Sequence, residues 1–173
     1  AIGDLNGDGR PDLIVAAGFG GGPRVAVFDG RSVVGTFNAS GLTRLAPDFF
    51  VFEDTLRNGA FVTAADVNGD GFADLVAGGG PGGSPRVTVF SGTDLGGART
   101  VLANFFAGDE NLRGGVRLAA IDVEGDGWVD VITADGPTAT VRVYAPGDLI
   151  RANFSPWLTY ADPALDAGGI FVG

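Results

Sequence analysis

Three stretches of this chain carry oxygen-bearing side chains at one fixed spacing. They are Asp4-Leu5-Asn6-Gly7-Asp8-Gly9-Arg10-Pro11-Asp12, Asp66-Val67-Asn68-Gly69-Asp70-Gly71-Phe72-Ala73-Asp74 and Asp122-Val123-Glu124-Gly125-Asp126-Gly127-Trp128-Val129-Asp130. Side-chain oxygens fall at positions 1, 3, 5 and 9 of each stretch, with glycine at positions 4 and 6. A hard divalent cation is held by carboxylate, amide and backbone oxygens, so the pattern is that of a calcium loop. The candidate ligands are Asp4, Asn6, Asp8 and Asp12, then Asp66, Asn68, Asp70 and Asp74, then Asp122, Glu124, Asp126 and Asp130. Backbone carbonyls of Arg10, Phe72 and Trp128, at position 7, complete the sets. A carbonyl ligand leaves the side chain at that position free to vary. Up to three Ca²⁺ per chain is the expectation.

The spacing matches the first half of an EF-hand loop. Glycine at position 6 permits the left-handed turn that wraps the backbone around an ion. The glutamate of an EF-hand's twelfth position is absent, because Val15, Ala77 and Thr133 stand there, and no flanking helices are predicted. These are loops set between strands. Ordinary Asx-turns favour the same residue types. What separates the readings is charge: three or four carboxylates within nine residues repel by several kcal/mol unless a cation neutralises them. In the third loop Glu124 stands where the others have asparagine, adding a charge and a methylene that set its affinity or geometry apart.

The chain has 173 residues and a net charge of −10, and ten of its 21 acidic residues lie inside the three loops. Three bound Ca²⁺ would bring the formal charge to −4, so the acidity reads as a metal-binding signature. All eleven basic residues are arginine, spread along the chain without forming a patch, which argues against nucleic acid as a partner. Cysteine, histidine, lysine and methionine are absent. With them go a disulfide framework, the commonest general base and the commonest transition-metal ligand. Neither a signal peptide, a starting methionine nor a transmembrane stretch is visible, which reads as a processed product or a segment of something longer, with no membrane insertion. Calcium supplies the compartment argument: at roughly millimolar extracellular calcium, a site with Kd near 10 µM gains about 2.7 kcal/mol. Three such sites would contribute roughly 8 kcal/mol, comparable to the stability of a whole domain. An extracellular or cell-surface, secreted location is the expectation.

Repetition organises the rest. The first aspartates of the loops are 62 and 56 residues apart. Each loop leads into an apolar run (Asp12-Leu-Ile-Val-Ala, Asp74-Leu-Val-Ala, Asp130-Val-Ile-Thr), and a turn follows. That turn is glycine-rich in the first two copies, Gly18 to Pro23 and Gly78 to Pro85, and shortened at Asp135-Gly-Pro-Thr in the third. Next come an alternating strand (24–28, 86–90, 141–144) and an aromatic-containing one (48–52, 102–106, and 152–154 continuing to Trp157). A final strand, 60–64 or 116–120, runs into the next loop. Four strands per repeat with period-2 alternation predict an all-β fold of β-propeller blades, with Phe28, Phe90 and Phe106 as core between sheets.

The stretch Gly18-Phe-Gly-Gly-Gly-Pro23 beside Asp-x-Asn-Gly-Asp-Gly-x-x-Asp resembles the FG-GAP repeats of the integrin α-subunit propeller, and more closely the bacterial VCBS-type repeats. The resemblance covers nearly the whole chain. It implies calcium at blade edges through the side-chain ligands named above, an extracellular setting, and roles in adhesion or ligand binding. No Arg-Gly-Asp sequence is present.

Residues 1–173 read as one repeat domain, with repeats at 1–59, 60–115 and 116–173. The C-terminal Gly168-Gly-Ile-Phe-Val-Gly173 resembles Gly114-Gly-Val-Arg-Leu-Ala119 and is expected to complete the blade begun at residue 1. Three blades fall short of the usual four-to-eight-bladed ring. Self-association through the terminal strands, as a six-bladed homodimer, ranks with membership of a longer propeller above an open filament. The leading function is a calcium-stabilised extracellular module for adhesion or for binding a protein or glycan, with structural metal sites. The alternatives are a subunit of an extracellular filament or surface layer, and a propeller part of a secreted hydrolase or lyase. No catalytic constellation is visible and the chain is read as non-enzymatic: the acidic pairs Glu53-Asp54 and Asp109-Glu110 read as solvated turn residues.

Overall fold

A computed structural model describes residues 1–33 and 41–161. Within them the chain forms three four-stranded antiparallel sheets, two short α-helices, α1 (Gly30–Val33) and α2 (Pro146–Ile150), and a 3-10 turn at Gly92–Asp94. The first sheet is β1 (Ile2–Gly3), β2 (Asp12–Ala16), β3 (Arg24–Phe28) and β4 (Arg44–Phe50), in that order. The second is β5 (Ala60–Ala65), β6 (Asp74–Gly79), β7 (Arg86–Phe90) and β8 (Val101–Phe106). The third is β9 (Val116–Ile121), β10 (Asp130–Asp135), β11 (Thr140–Tyr144) and β12 (Leu158–Ala161). Each is a meander in sequence order, the expected propeller blade. The segment 168–173 lies outside the described residues. No described helix is long and apolar enough to cross a membrane.

Register sets which face of each blade carries which side chains. Ile14 lies opposite Val27 and Val25 opposite Phe49, so these four share one face of the first blade. They pack against Ala60, Leu75, Ala77 and Phe90 of the second. The opposite face of the second blade, with Val76, Val87, Val89 and Phe105, packs against Val116, Leu118, Val131 and Tyr144 of the third. One aromatic pair spans each junction: Phe49 with Phe90 at 5.8 Å and 74°, and Phe105 with Tyr144 at 5.0 Å. Phe28 and Phe90 thus stand at equivalent positions, whereas Phe106, expected in the core, is 42% exposed on an edge strand.

The third blade departs from the expected strand at 152–157. Helix α2 (Pro146–Ile150) follows β11, with proline in its first turn where its fixed φ suits a helix start. Pro156 then has no N–H to give a ladder, and the outer strand begins only at Leu158. Phe154 stacks flat on Phe105 at 4.9 Å instead of joining the sheet. The shortened turn before β11 is braced from below. Asp135, fully buried, accepts from Arg142 Nη1 at 2.6 Å, from the Thr138 amide at 3.0 Å and from the Thr138 hydroxyl. Arg142 also donates to the Ala107 carbonyl at 3.0 Å, tying the third blade to the second.

Candidate metal centre

The three acidic loops join the innermost strand of each blade to the next one out, so all three lie at the same ends of their sheets. Their backbones wind alike. The glycines at positions 4 and 6 have φ of +70° and +80° in the first loop, +75° and +86° in the second, and +75° and +90° in the third. The position-1 carboxylate sits inside the winding and accepts from amides of positions 4 to 6. Asp4 takes the Asp8 and Gly9 amides at 3.1 and 2.8 Å. Asp66 takes those of Gly69 and Gly71 at 2.7 and 2.9 Å, and Asp122 those of Gly125 and Gly127 at 2.6 and 2.9 Å. Positions 3 and 5 close Asx-turns: Asn6 and Asn68 accept from the amides of Asp8 and Asp70. Asp8, Asp70 and Asp126 accept from those of Arg10, Phe72 and Trp128.

The position-9 aspartates are clamps. Asp12 and Asp74 are fully buried and Asp130 nearly so. One oxygen of each accepts the amide of its own loop's position 2, from Leu5 at 2.9 Å, Val67 at 3.0 Å and Val123 at 3.1 Å. The other oxygen of Asp12 and Asp74 accepts from Gly30 and Gly92, at 2.8 and 3.0 Å, where the chain leaves the third strand of the blade. The third blade has Pro146 near that exit, and Asp130 takes the Trp157 indole N–H at 3.4 Å. Gly30 and Gly92 were not legible as site residues, although Phe28-Asp29-Gly30 and Phe90-Ser91-Gly92 repeat after each alternating strand.

Consecutive loops also touch. A methyl group at Gly69 would meet the Trp128 ring at 2.7 Å, and one at Gly7 would strike Phe72. The Ala73 amide donates to the Asp4 carbonyl at 2.8 Å. The position-7 side chain is therefore not free to vary: in the second and third loops it is an aromatic lid over the position-4 glycine of the loop before.

Oxygen is the donor type that the side chains at positions 1, 3, 5 and 9 offer a metal, and the positive-φ glycines at positions 4 and 6 wind the backbone around them. Each carboxylate has about four lone-pair sites, so two backbone bonds leave room for a metal. The residues fit calcium in kind and order. Their convergence is another matter, for among the described residues no three acidic side chains gather at metal-ligand distance. They turn instead to amides and, at Asp8, to the Arg31 guanidinium 3.0 Å away. Burial pushes the Asp74 carboxyl up to about 6, with the Asp70 and Asp66 charges adding to it and the Gly92 and Val67 amides opposing it. Asp122 is held below its ordinary range, chiefly by the Gly127 amide. Desolvation, then the charges of Asp126 and Asp130, raise Glu124.

The loops, blades and glycine-rich turns agree with what known repeats look like. The FG-GAP-like repeat family matches residues 4–77, and the FG-GAP repeat family residues 58–98. The chain carries FG-GAP repeats. Those matches take in the first blade and most of the second; the third blade, outside both, has the same sheet order and carries its acidic loop at the same place. No curated protein matches the chain.

At the opposite end of the FG-GAP blades, a cleft of about 330 Å³ opens between the first and second. Phe52, Phe106, Asn58, Arg86 and Arg113 line it, with glycine backbone between them. Arg86 lies 5.5 Å from the Phe52 ring centroid and pairs with Glu53 at 2.9 Å. Its own backbone amide, and then Arg86, hold Glu53 below the ordinary range, a poor setting for a proton donor. A Leu-Arg pair repeats here: Arg57 donates to the carbonyls of Asp54 and Leu56, and Arg113 to those of Glu110 and Leu112. These arginines cap the turn that enters each following blade, a role the sequence reading missed.

Proposed function

We propose that this protein is a non-catalytic, calcium-stabilised propeller module of the extracellular space or cell surface that binds a protein or glycan, or serves as an adhesive surface. The observation that supports it best is the common winding of three loops around oxygen donors alone. Bound calcium would neutralise the loop carboxylates and tie the innermost strand of each blade to its neighbour. The side chains of Asp4, Asn6, Asp8 and Asp12 would hold it in the first loop, with their counterparts in the second and third. The clamp aspartates orient each loop through their buried amide bonds, and the aromatic lids link one loop to the next. The ligand-binding part of the reading rests on the cleft, where exposed aromatic edges, two arginines and an amide side chain offer stacking and hydrogen bonds together.

Thermal unfolding in millimolar calcium and in EDTA tests the metal part. Three occupied sites predict a loss in chelator of several kcal/mol, seen as a drop of more than about 10 °C in Tm. Equal melting in the two buffers would remove calcium, and with it the argument for an extracellular setting.

A further inference from the structure

The two junctions between blades repeat strand for strand, but at the end opposite the acidic loops they are finished differently. One register position carries the difference. Asp135 lies opposite Val116 where Gly79 lies opposite Ala60, so each closes the second strand of its blade. At the second junction Asp135 fills the space with a buried carboxylate, paired with Arg142 at 2.6 Å. A methyl on Gly108 would sit 3.3 Å from both partners, and one on Gly114 would strike the Pro137 ring. The chain closes that junction with its own ion pair and a proline.

At the first junction glycine stands in place of the buried carboxylate, and the cleft opens there. Phe52 holds the position of Gly108, and Asn58 that of Gly114. The guanidinium is supplied by Arg86, over the Phe52 ring. Its carboxylate partner is Glu53 at the rim, whose side chain is 61% exposed. An exposed pair of this kind is weak and readily exchanged. Arg86 donates from Nε to Asn104 at 3.0 Å and from Nη1 to Glu53 at 2.9 Å, and Nη2 has no partner among the described residues. A guanidinium so placed can take a carboxylate through two parallel bonds.

We infer that the cleft takes a uronic acid residue of an acidic glycan, whose carboxylate docks on Arg86 and does from outside what Asp135 does from within at the second junction. This rests on the ligand-binding reading above and names its ligand. The remaining lining groups favour a sugar over an acidic peptide side chain. A carboxylate alone asks only for donors, whereas the cleft also offers acceptors for hydroxyls. Asn58 Nδ2 donates to the Pro81 carbonyl at 2.9 Å, which leaves the amide oxygen to accept, and Glu53 is a second acceptor. The half-exposed ring of Phe106 gives the apolar face of a sugar a surface to lie on. At about 330 Å³ the cleft is at the small end of ligand sites, room for a sugar unit and not for the surface of a folded partner.

Titration calorimetry on the full chain in calcium tests this with three probes. They are a β-1,4-linked tetramer of glucuronic acid, cellotetraose, which has a CH2OH in place of each carboxylate, and tetraglutamate. The uronate tetramer is expected to bind about 10-fold more tightly than cellotetraose. Arg86→Gln removes the charge and should abolish that difference while leaving cellotetraose as it was. Glu53→Gln frees the guanidinium and should tighten uronate binding about 3-fold. That exposed site keeps the test alive should Arg86→Gln fail to fold. Equal binding of the two sugars, a difference that survives Arg86→Gln, or no gain in Glu53→Gln would overturn the inference and leave the cleft a glycan site. Binding of tetraglutamate in place of the uronate would overturn it in favour of an acidic peptide. If none of the three binds, the inference and the ligand-binding role of the cleft fall together.

Discussion

Gly69 and Gly125 form a matched pair that isolates the contact between consecutive loops. Both stand at position 4, and both have φ of +75°. Alanine at either site therefore meets the same left-handed strain, about 1–2 kcal/mol. The surroundings differ. At Gly69 the new methyl would lie 2.7 Å from Cη2 and Cζ3 of Trp128, whereas at Gly125 nothing lies within 4 Å. Carbon atoms rest about 3.5–4.0 Å apart, so the indole must retreat by roughly 1 Å. Overpacking of this kind costs about 1–3 kcal/mol. Trp128 is half-exposed, so its ring can swing outward, which places the cost toward the low end.

Gly69→Ala is thus expected to lose about 1–2 kcal/mol more than Gly125→Ala, a further drop in Tm of roughly 5 °C for a chain of this size. Calorimetry in saturating calcium measures the gap. Tryptophan emission, read in a Trp157→Phe background so that only Trp128 reports, should shift to the red in Gly69→Ala and stay put in Gly125→Ala. In Trp128→Ala the excess should vanish, since a double-mutant cycle removes what the ring alone contributes. Equal losses at the two glycines, or an excess that survives without the indole, would refute the chained-loop reasoning.

The clamps give a second comparison: Asp12→Asn leaves one of two well-made buried amide bonds without an acceptor, a loss of about 2–3 kcal/mol. Asp130→Asn disturbs a 3.1 Å bond and a 3.4 Å indole contact, and should cost about half as much by urea unfolding in calcium. Similar losses would mean that the exit glycine does not matter. Acidity gives the third: Asp74 keeps its proton up to about pH 6 in the fold, against 3.8 for the free carboxyl. The folded state then binds the extra proton between these values, so in EDTA this group's contribution to stability grows as pH falls, by about 1 kcal/mol from pH 7 to 5 and by about 3 kcal/mol in full once pH is below 3.8. Protons compete with a held cation, so calcium-loaded protein moves the other way. The gap in Tm between calcium and EDTA should narrow over that range, and Asp74→Asn should flatten the EDTA arm; a constant gap would refute this.

The parts legible in the sequence were local. Alternation placed β3, β7 and β11, and the nine-residue spacing placed three loops between strands, because a strand or a turn is specified by its own few residues. The rest depended on neighbours distant in sequence. Gly30 donates to Asp12 across eighteen residues, and only the return of the chain through β2 and β3 brings them together. Phe72 and Trp128 looked unconstrained because the metal pattern asks only for their carbonyls. Their side chains answer to glycines in the preceding loop, a full repeat away. The outer strand of the third blade was placed too early because its aromatic residues suggested a strand, while Pro146 and Pro156 determined where hydrogen bonding could resume.

Pro146 and Glu124 together explain why the third loop stands apart. Among the described residues no glycine amide near Pro146 serves Asp130 as Gly30 and Gly92 serve the other clamps. Asp130 makes do with a 3.4 Å indole contact that reaches it from outside the blade's own exit turn. Glu124 meanwhile brings a fourth carboxylate, and desolvation and neighbouring charges raise its affinity for a proton. A looser clamp and greater repulsion both favour an open loop until an opposite charge arrives. In the first two loops, a neighbouring aromatic covers the position-4 glycine and the clamp is closed by two amides, so order is supplied from within the chain. In the third, the open glycine and the added charge face outward together.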